Sequence, residues 1–177
     1  YNSDADKGVD YTSAMGGTYT GYYLKKFVNN ISCKEPATYP HAWMIFRYGE
    51  ILLNAAEAYN EAEGPAKAYS YINEVRARAG MPAYADMSQS ELRERIRNER
   101  RIELAFEDHR FWDICRWMDG DVVKDIYGIK ITKRGSKYTY TRTKIQTRIW
   151  DRKMYLYPIA QTELYKNPNL TQNSGWE

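Results

Sequence analysis

Apolar side chains recur with a helical period between residues 46 and 119, and the pattern changes on either side of that stretch. A Leu/Ala-rich run predicts a first helix from about Phe46 to Glu63, ended by Gly64-Pro65. A second is expected from about Pro65 to Ala79. Proline suits its first turn because no N–H is lost there, and Gly80-Met81-Pro82 is its stop. Ser88-Gln89-Ser90-Glu91 has the spacing of a capping box and opens a third helix reaching to about Asp108. A short aromatic fourth helix follows from about Arg110 to Met118, with Gly120 as its end.

Beyond residue 120 the period falls to two. Ile129-Lys130-Ile131-Thr132-Lys133 alternates, Arg134-Gly135-Ser136-Lys137 reads as a turn, and Tyr138-Thr139-Tyr140-Thr141 alternates again, so a β-hairpin is predicted. Met154-Tyr155-Leu156-Tyr157 reads as a further extended piece, and the tail from Asn167 is polar and turn-rich. Residues 1–45 hold Gly8, Gly16, Gly17, Gly21, Pro36 and Pro40 without a helical period. They read as an extended arm, with one candidate strand from Tyr22 to Val28. An arm this long with little structure of its own suits a chain lying across a partner surface, such as an N-terminal half outside this sequence. The expected organisation is therefore an arm (1–45), a helical core (46–119), and a β-hairpin with an irregular tail (120–177).

The first two helices, joined by so short a connection, pattern as a tetratricopeptide-type hairpin. Ala55, Ala56 and Ala68 would lie at the close approach, and Tyr59 and Ile72 in the groove. One repeat is visible where at least about three make a continuous core. On the third helix Leu92, Ile96, Ile102 and Phe106 define an apolar face, and Glu99 and Glu103 fall within it. Carboxylates in such a place are costly unless paired. A structural network of Glu99, Arg100, Glu103 and Arg110 is therefore expected, with Arg101 nearby and Arg47, Arg76 and Arg78 available from neighbouring helices. The alternative is an acid/base pair of the glycosidase type. One turn apart on one helix places two carboxylates poorly for opposite sides of a substrate, and crowded arginines hold both ionised. Glu50, Asn54, Glu57 and Glu61 form a second polar stripe, read as a solvated or ion-pairing face.

Composition narrows the function. Net charge is +3, with 26 basic against 23 acidic residues, too balanced to argue for nucleic acid. No run approaches the roughly 18 apolar residues of a membrane span, and the first residues lack a signal-peptide pattern. Two cysteines, Cys33 and Cys115, are too few for a disulfide framework, and Cys115 reads as a packing residue. His41 and His109 stand far apart, and no metal-ligand spacing, phosphate loop or nucleophile elbow is present, so neither metal nor cofactor is expected. Aromatics are plentiful: 17 Tyr, 5 Trp and 4 Phe. A flat apolar ring with a polar handle suits stacking on a sugar, as it also suits a core.

Several segments together resemble the SusD/RagB family. They are 47–59, 68–80, Ile96-Arg97-Asn98-Glu99-Arg100-Arg101-Ile102-Glu103-Leu104-Ala105-Phe106-Glu107, Arg110-Phe111-Trp112-Asp113-Ile114-Cys115-Arg116-Trp117, Tyr157-Pro158-Ile159, and 167–176. The resemblance implies a mainly α fold, a superhelix of tetratricopeptide-like hairpins with a small β-hairpin and long irregular loops. It implies a non-enzymatic lipoprotein on the bacterial outer membrane, anchored by an N-terminal cysteine that neither Cys33 nor Cys115 is placed to be. It further implies capture of oligosaccharides, or peptides in some members, and delivery to a SusC-like TonB-dependent transporter. Members are much longer than this chain, so the N-terminal half is expected to lie outside it. The matched motifs belong to the scaffold, so ligand contacts do not transfer. Chemistry alone nominates Tyr11, Tyr19, Tyr22, Tyr138, Tyr140 and Trp150. Two other readings stay open: a helical-repeat module that binds protein, and a glycoside hydrolase fragment.

Overall fold

The computed structural model describes residues 24–27 and 44–177. The chain divides into two units, Tyr1–Tyr48 and Gly49–Glu177. In the first, residues 24–27 include a turn at which Phe27 takes a positive φ of 68°. Tyr11, Tyr19, Tyr22, Cys33, His41 and the candidate strand from Tyr22 to Val28 lie wholly or mostly outside the described residues.

Helix α1 spans Tyr48–Glu63 and α2 spans Pro65–Arg78. A single residue, Gly64 at φ 88°, joins them, so the chain reverses at a position that favours glycine. Leu52, Leu53 and Ala56 of α1 are buried in one cluster with Ala68, Ile72 and Val75 of α2. Tyr59 and Tyr71 close it from the side, their rings stacked at 5.3 Å and 7°. Ala56 and Ala68 are fully buried, as close approach requires.

Helix α3 spans Gln89–Glu103. Ser88 is its N-cap: Glu91 N–H donates to the Ser88 hydroxyl, and Ser88 N–H donates back to the Glu91 carboxylate at 2.9 Å. Leu92, Ile96 and Leu104 join the same core. The helix stops five residues before Asp108. Phe106 and Asp108 take φ values of 64° and 62°, which reverse the chain into α4 (His109–Trp117). That reversal brings Asp113 of α4 against Arg100 of α3, a contact one continuous helix could not make.

After α4, a 3-10 turn at Gly120–Val123 leads to the hairpin. Strands β1 (Asp125–Arg134) and β2 (Lys137–Thr147) form an antiparallel two-stranded sheet. Both run longer than the alternation predicted. Gly135, at φ 59°, opens the two-residue turn. A bulge between Ile126 and Tyr127 shifts the register. It leaves Ile145 over Gly128, where a Cβ would meet the Ile145 Cδ1 at 2.3 Å. The stretch read as extended, 154–157, instead begins inside a second 3-10 turn, Arg152–Tyr155, and a short helix α5 (Gln161–Lys166) precedes the tail. Trp176 explains the turn: its Nε1 donates to the Lys153 and Leu156 carbonyls at 3.0 and 3.1 Å and holds the backbone curled. Among the described residues no helix is long and apolar enough to cross a membrane.

Candidate functional site

Two features outside the helical core compete for a functional role, and the ion pairs of α3 decide what is left over for it. Glu99 accepts from Arg76 at 2.8 Å with both side chains buried. Arg76 also donates to the Pro82 carbonyl at 2.7 Å and lies 3.7 Å from the Tyr84 ring centre. Glu103 pairs with Arg78. Arg100 donates twice to Asp113, at 3.0 and 3.1 Å, and once to Asn54. Arg110 takes no ion pair among the described residues. Partial burial lowers its pKa, helped by the charge of Arg101 and opposed by Asp113 and Asp119. The polar stripe of α1 is the seam with the later helices: Glu61 meets Arg93 at 2.7 Å, and Glu57 accepts from both Arg116 terminal nitrogens at 2.6 Å and from Trp117 at 2.7 Å. Burial pushes the Glu57 carboxyl up, but the Arg116 and Trp117 hydrogen bonds, with the charges of Arg116 and Arg100, outweigh it and hold the pKa below its ordinary value. These carboxylates are tied to cations in the scaffold, an arrangement that fixes helix docking.

The same docking sets the outer face of α4. Asp113 and Ile114 are buried, so Trp112, Cys115 and Arg116 turn toward an open cleft. Its far wall is the 3-10 turn Arg152–Tyr155 with Leu156, and its rim is Ser174 and Gly175. The cleft measures about 1110 Å³, slightly larger than the roughly 300–1,000 Å³ of small-molecule sites. Trp112 is 57% exposed. Phe111 meets it edge-on at 5.3 Å, and Tyr157 stands 6.0 Å from both rings. Asp151 and Arg152 are exposed at the wall and make no ion pair among the described residues. Burial pushes the Cys115 thiol up, which disfavours the reactive thiolate.

The polar tail builds this wall. Gln172 accepts from Ile159 N–H at 2.8 Å and donates to the Ile159 carbonyl at 2.9 Å, and Asn173 donates to the Tyr157 carbonyl at 2.6 Å. Lys153 lies 4.6 Å from the Trp176 ring centre. Gly175, at φ 86°, passes so near Lys153 that a Cβ would come within 2.9 Å of its Cβ.

The nominated aromatics separate. Tyr138 and Tyr140 stand exposed on the hairpin, 54% and 66% open. Trp150 is partly buried in a structural cluster: it packs 5.4 Å from Tyr155 and lies against Gly120, whose added Cβ would strike the Trp150 ring at 1.9 Å. Sequence reasoning passed over Trp112, Tyr155 and Tyr157. Helical phase sets Trp112 apart from Asp113 and Ile114, but that these two are the buried pair follows from the Arg100 contact, so Trp112 carried no signal in sequence alone. Tyr155 and Tyr157 offered none, since their placement depends on a tail contact far along the chain. Among the described residues no group of three His, Cys, Asp or Glu side chains could hold a metal ion.

Residues 2–176 match the SusD family (SusD_RagB), and the chain belongs to it. It is 36% identical over 184 residues to SusD-like protein P25 of Formosa agariphila, covering 94% of this chain and 32% of that protein. SusD-like protein P2 of the same organism is also 36% identical, over 72% of this chain and 24% of the relative. The crystal structure of a SusD-like protein from Bacteroides fragilis superposes with a TM-score of 0.67 at 37% identity, covering 76% of this chain and 26% of that one. A SusD-like carbohydrate binding protein from Bacteroides vulgatus superposes at 0.52 with 26% identity, covering 72% and 29%. The chain thus spans a third or less of the length of these relatives. The mainly α fold with a small two-stranded sheet agrees with the family expectation.

Proposed function

We propose that the protein containing this chain captures oligosaccharides at the bacterial cell surface and passes them, unaltered, to a SusC-like TonB-dependent transporter. On this reading it is a lipoprotein held to the outer membrane through an anchor outside this sequence, with no cofactor. Membership of the SusD family supports it, as does a relative described as carbohydrate binding. The observation that carries it is the cleft beside Trp112: an exposed ring forms one wall, while Asp151, Arg152 and Ser174 supply hydrogen-bonding groups within the same space. A pyranose ring packs its C–H face on an indole while its hydroxyls reach polar neighbours. Glu99 and Glu103 of α3 stand paired with arginines, which suits capture better than hydrolysis.

Calorimetry with a panel of neutral oligosaccharides tests this on the whole natural protein. Trp112→Ala is expected to weaken binding about tenfold, and Trp112→Phe to restore most of it. Unchanged affinity in Trp112→Ala, at unchanged thermal stability, removes the cleft from the function. Hydrolysis of the sugar during the titration refutes the non-catalytic reading.

A further inference from the structure

The hairpin concentrates the positive charge of this chain. Residues 125–147 hold six basic side chains against one acid, Asp125, for a net +5; the rest of the chain, with 20 basic and 22 acidic residues, sums to −2. Lys144 is paired with Asp125 at 3.3 Å. Lys130, Lys133, Arg134, Lys137 and Arg142 make no ion pair among the described residues. The register sorts the side chains into two faces. One carries Tyr127, Ile129, Ile131 and Lys133 opposite Lys144, Arg142, Tyr140 and Tyr138. Three of these four cross-strand pairs hold a cation, and the fourth is Ile131 with Tyr140. Arg142 lies 3.8 Å from the Tyr127 ring centre and Lys133 lies 5.6 Å from that of Tyr138, while among the described residues no cation is seated on Tyr140. The other face carries Lys130, Arg134 and Lys137 among threonines.

We infer that this ribbon is a binding strip for an acidic polysaccharide, one bearing uronate or sulfate groups. The inference rests on the glycan-capture reading and names a ligand class for a second site, apart from the Trp112 cleft. At about 3.4 Å per residue the 11 residues of β2 extend roughly 35 Å, the length of several sugars. Carboxylates or sulfates spaced along a sugar chain meet guanidinium and ammonium groups, and C–H faces lie on Tyr140 and the neighbouring isoleucines. Charge on both faces of a ribbon two strands wide favours a flexible polyanion. A flat bilayer or the rigid face of a protein reaches one side only.

Affinity electrophoresis of the whole natural protein in polygalacturonate, dextran sulfate and neutral dextran tests this. Both acidic polymers should retard it, more weakly as salt rises, and dextran should not. Lys133→Gln, Lys137→Gln and Arg142→Gln should each lower that affinity about two- to fivefold, and Tyr140→Ala at least about twofold at raised salt, where stacking persists. None should alter a neutral oligosaccharide bound through Trp112. Acidic polymers that fail to bind while a neutral sugar does overturn the strip and leave glycan capture standing. Failure of both kinds of sugar removes the capture reading and the strip with it. Acidic binding that is indifferent to these substitutions overturns the strip. So does stronger binding to phosphatidylglycerol vesicles or to a polyglutamate peptide than to either polysaccharide.

Discussion

Asp113→Ala probes the buried pair that docks α4 on α3. Arg100 and Asp113 are 3% and 5% exposed at their side chains, and their two hydrogen bonds run in parallel at 3.0 and 3.1 Å. Removing one partner of such a buried pair costs about 3–5 kcal/mol, because the surviving charge stays buried without compensation. Arg100 keeps Asn54 as an acceptor and Glu57 at 3.8 Å, so the loss belongs at the low end, about 3 kcal/mol. Amide hydrogen exchange of the whole protein reads it locally: opening of α3 and α4 should speed by about a hundredfold, since each 1.4 kcal/mol is about a factor of ten. The double substitution Arg100→Met with Asp113→Leu removes both charges and should return exchange to within about 1 kcal/mol of the natural protein. Exchange in Asp113→Ala changed by less than about 0.5 kcal/mol, the scale of a surface substitution, refutes the reasoning. So does a double variant that opens as readily as the single one.

Glu57 makes stability depend on pH. Its folded pKa lies below the ordinary value, so its contribution is present above the unfolded pKa of about 4.3 and is lost as pH falls through the lower folded value. Denaturation midpoints between those two values should decline less steeply in Glu57→Gln than in the natural protein, and an equal slope counts against the assignment. Gly120→Ala drives a methyl into the Trp150 ring and should cost about 1–3 kcal/mol by overpacking, with a changed near-ultraviolet aromatic spectrum. An unaltered spectrum at full stability would mean that Trp150 does not lie on this glycine.

Gly120 shows where local reasoning stops. Its position after an aromatic helix reads as a stop signal, yet α4 already ends at Trp117, with Met118 in a left-handed conformation. Gly120 is small because Trp150, thirty residues later, lies on it. Glu99 and Glu103 were legible as carboxylates in need of partners, since a charge on an apolar stripe is costly wherever the stripe packs. That their partners are Arg76 and Arg78 of α2, while Arg100 turns to Asp113 and Arg110 takes no ion pair among the described residues, depends on helix phase and on the early end of α3.

Sequence by itself determined the existence of the four main helices, the Ser88 cap of α3, the hairpin turn and the family, because each follows from local periodicity, from Gly and Pro at fixed offsets, or from motifs contiguous in the chain. The tertiary structure alone decided which aromatics face solvent. Trp112 is open while Trp150 is packed, though both are indoles, and Tyr140 is open as well. Their exposure is set by contacts with residues distant along the chain: Asp113 with Arg100, Trp176 with the 152–155 turn, and β1 with β2. Such contacts form only when the elements meet in space, so no local pattern encodes them.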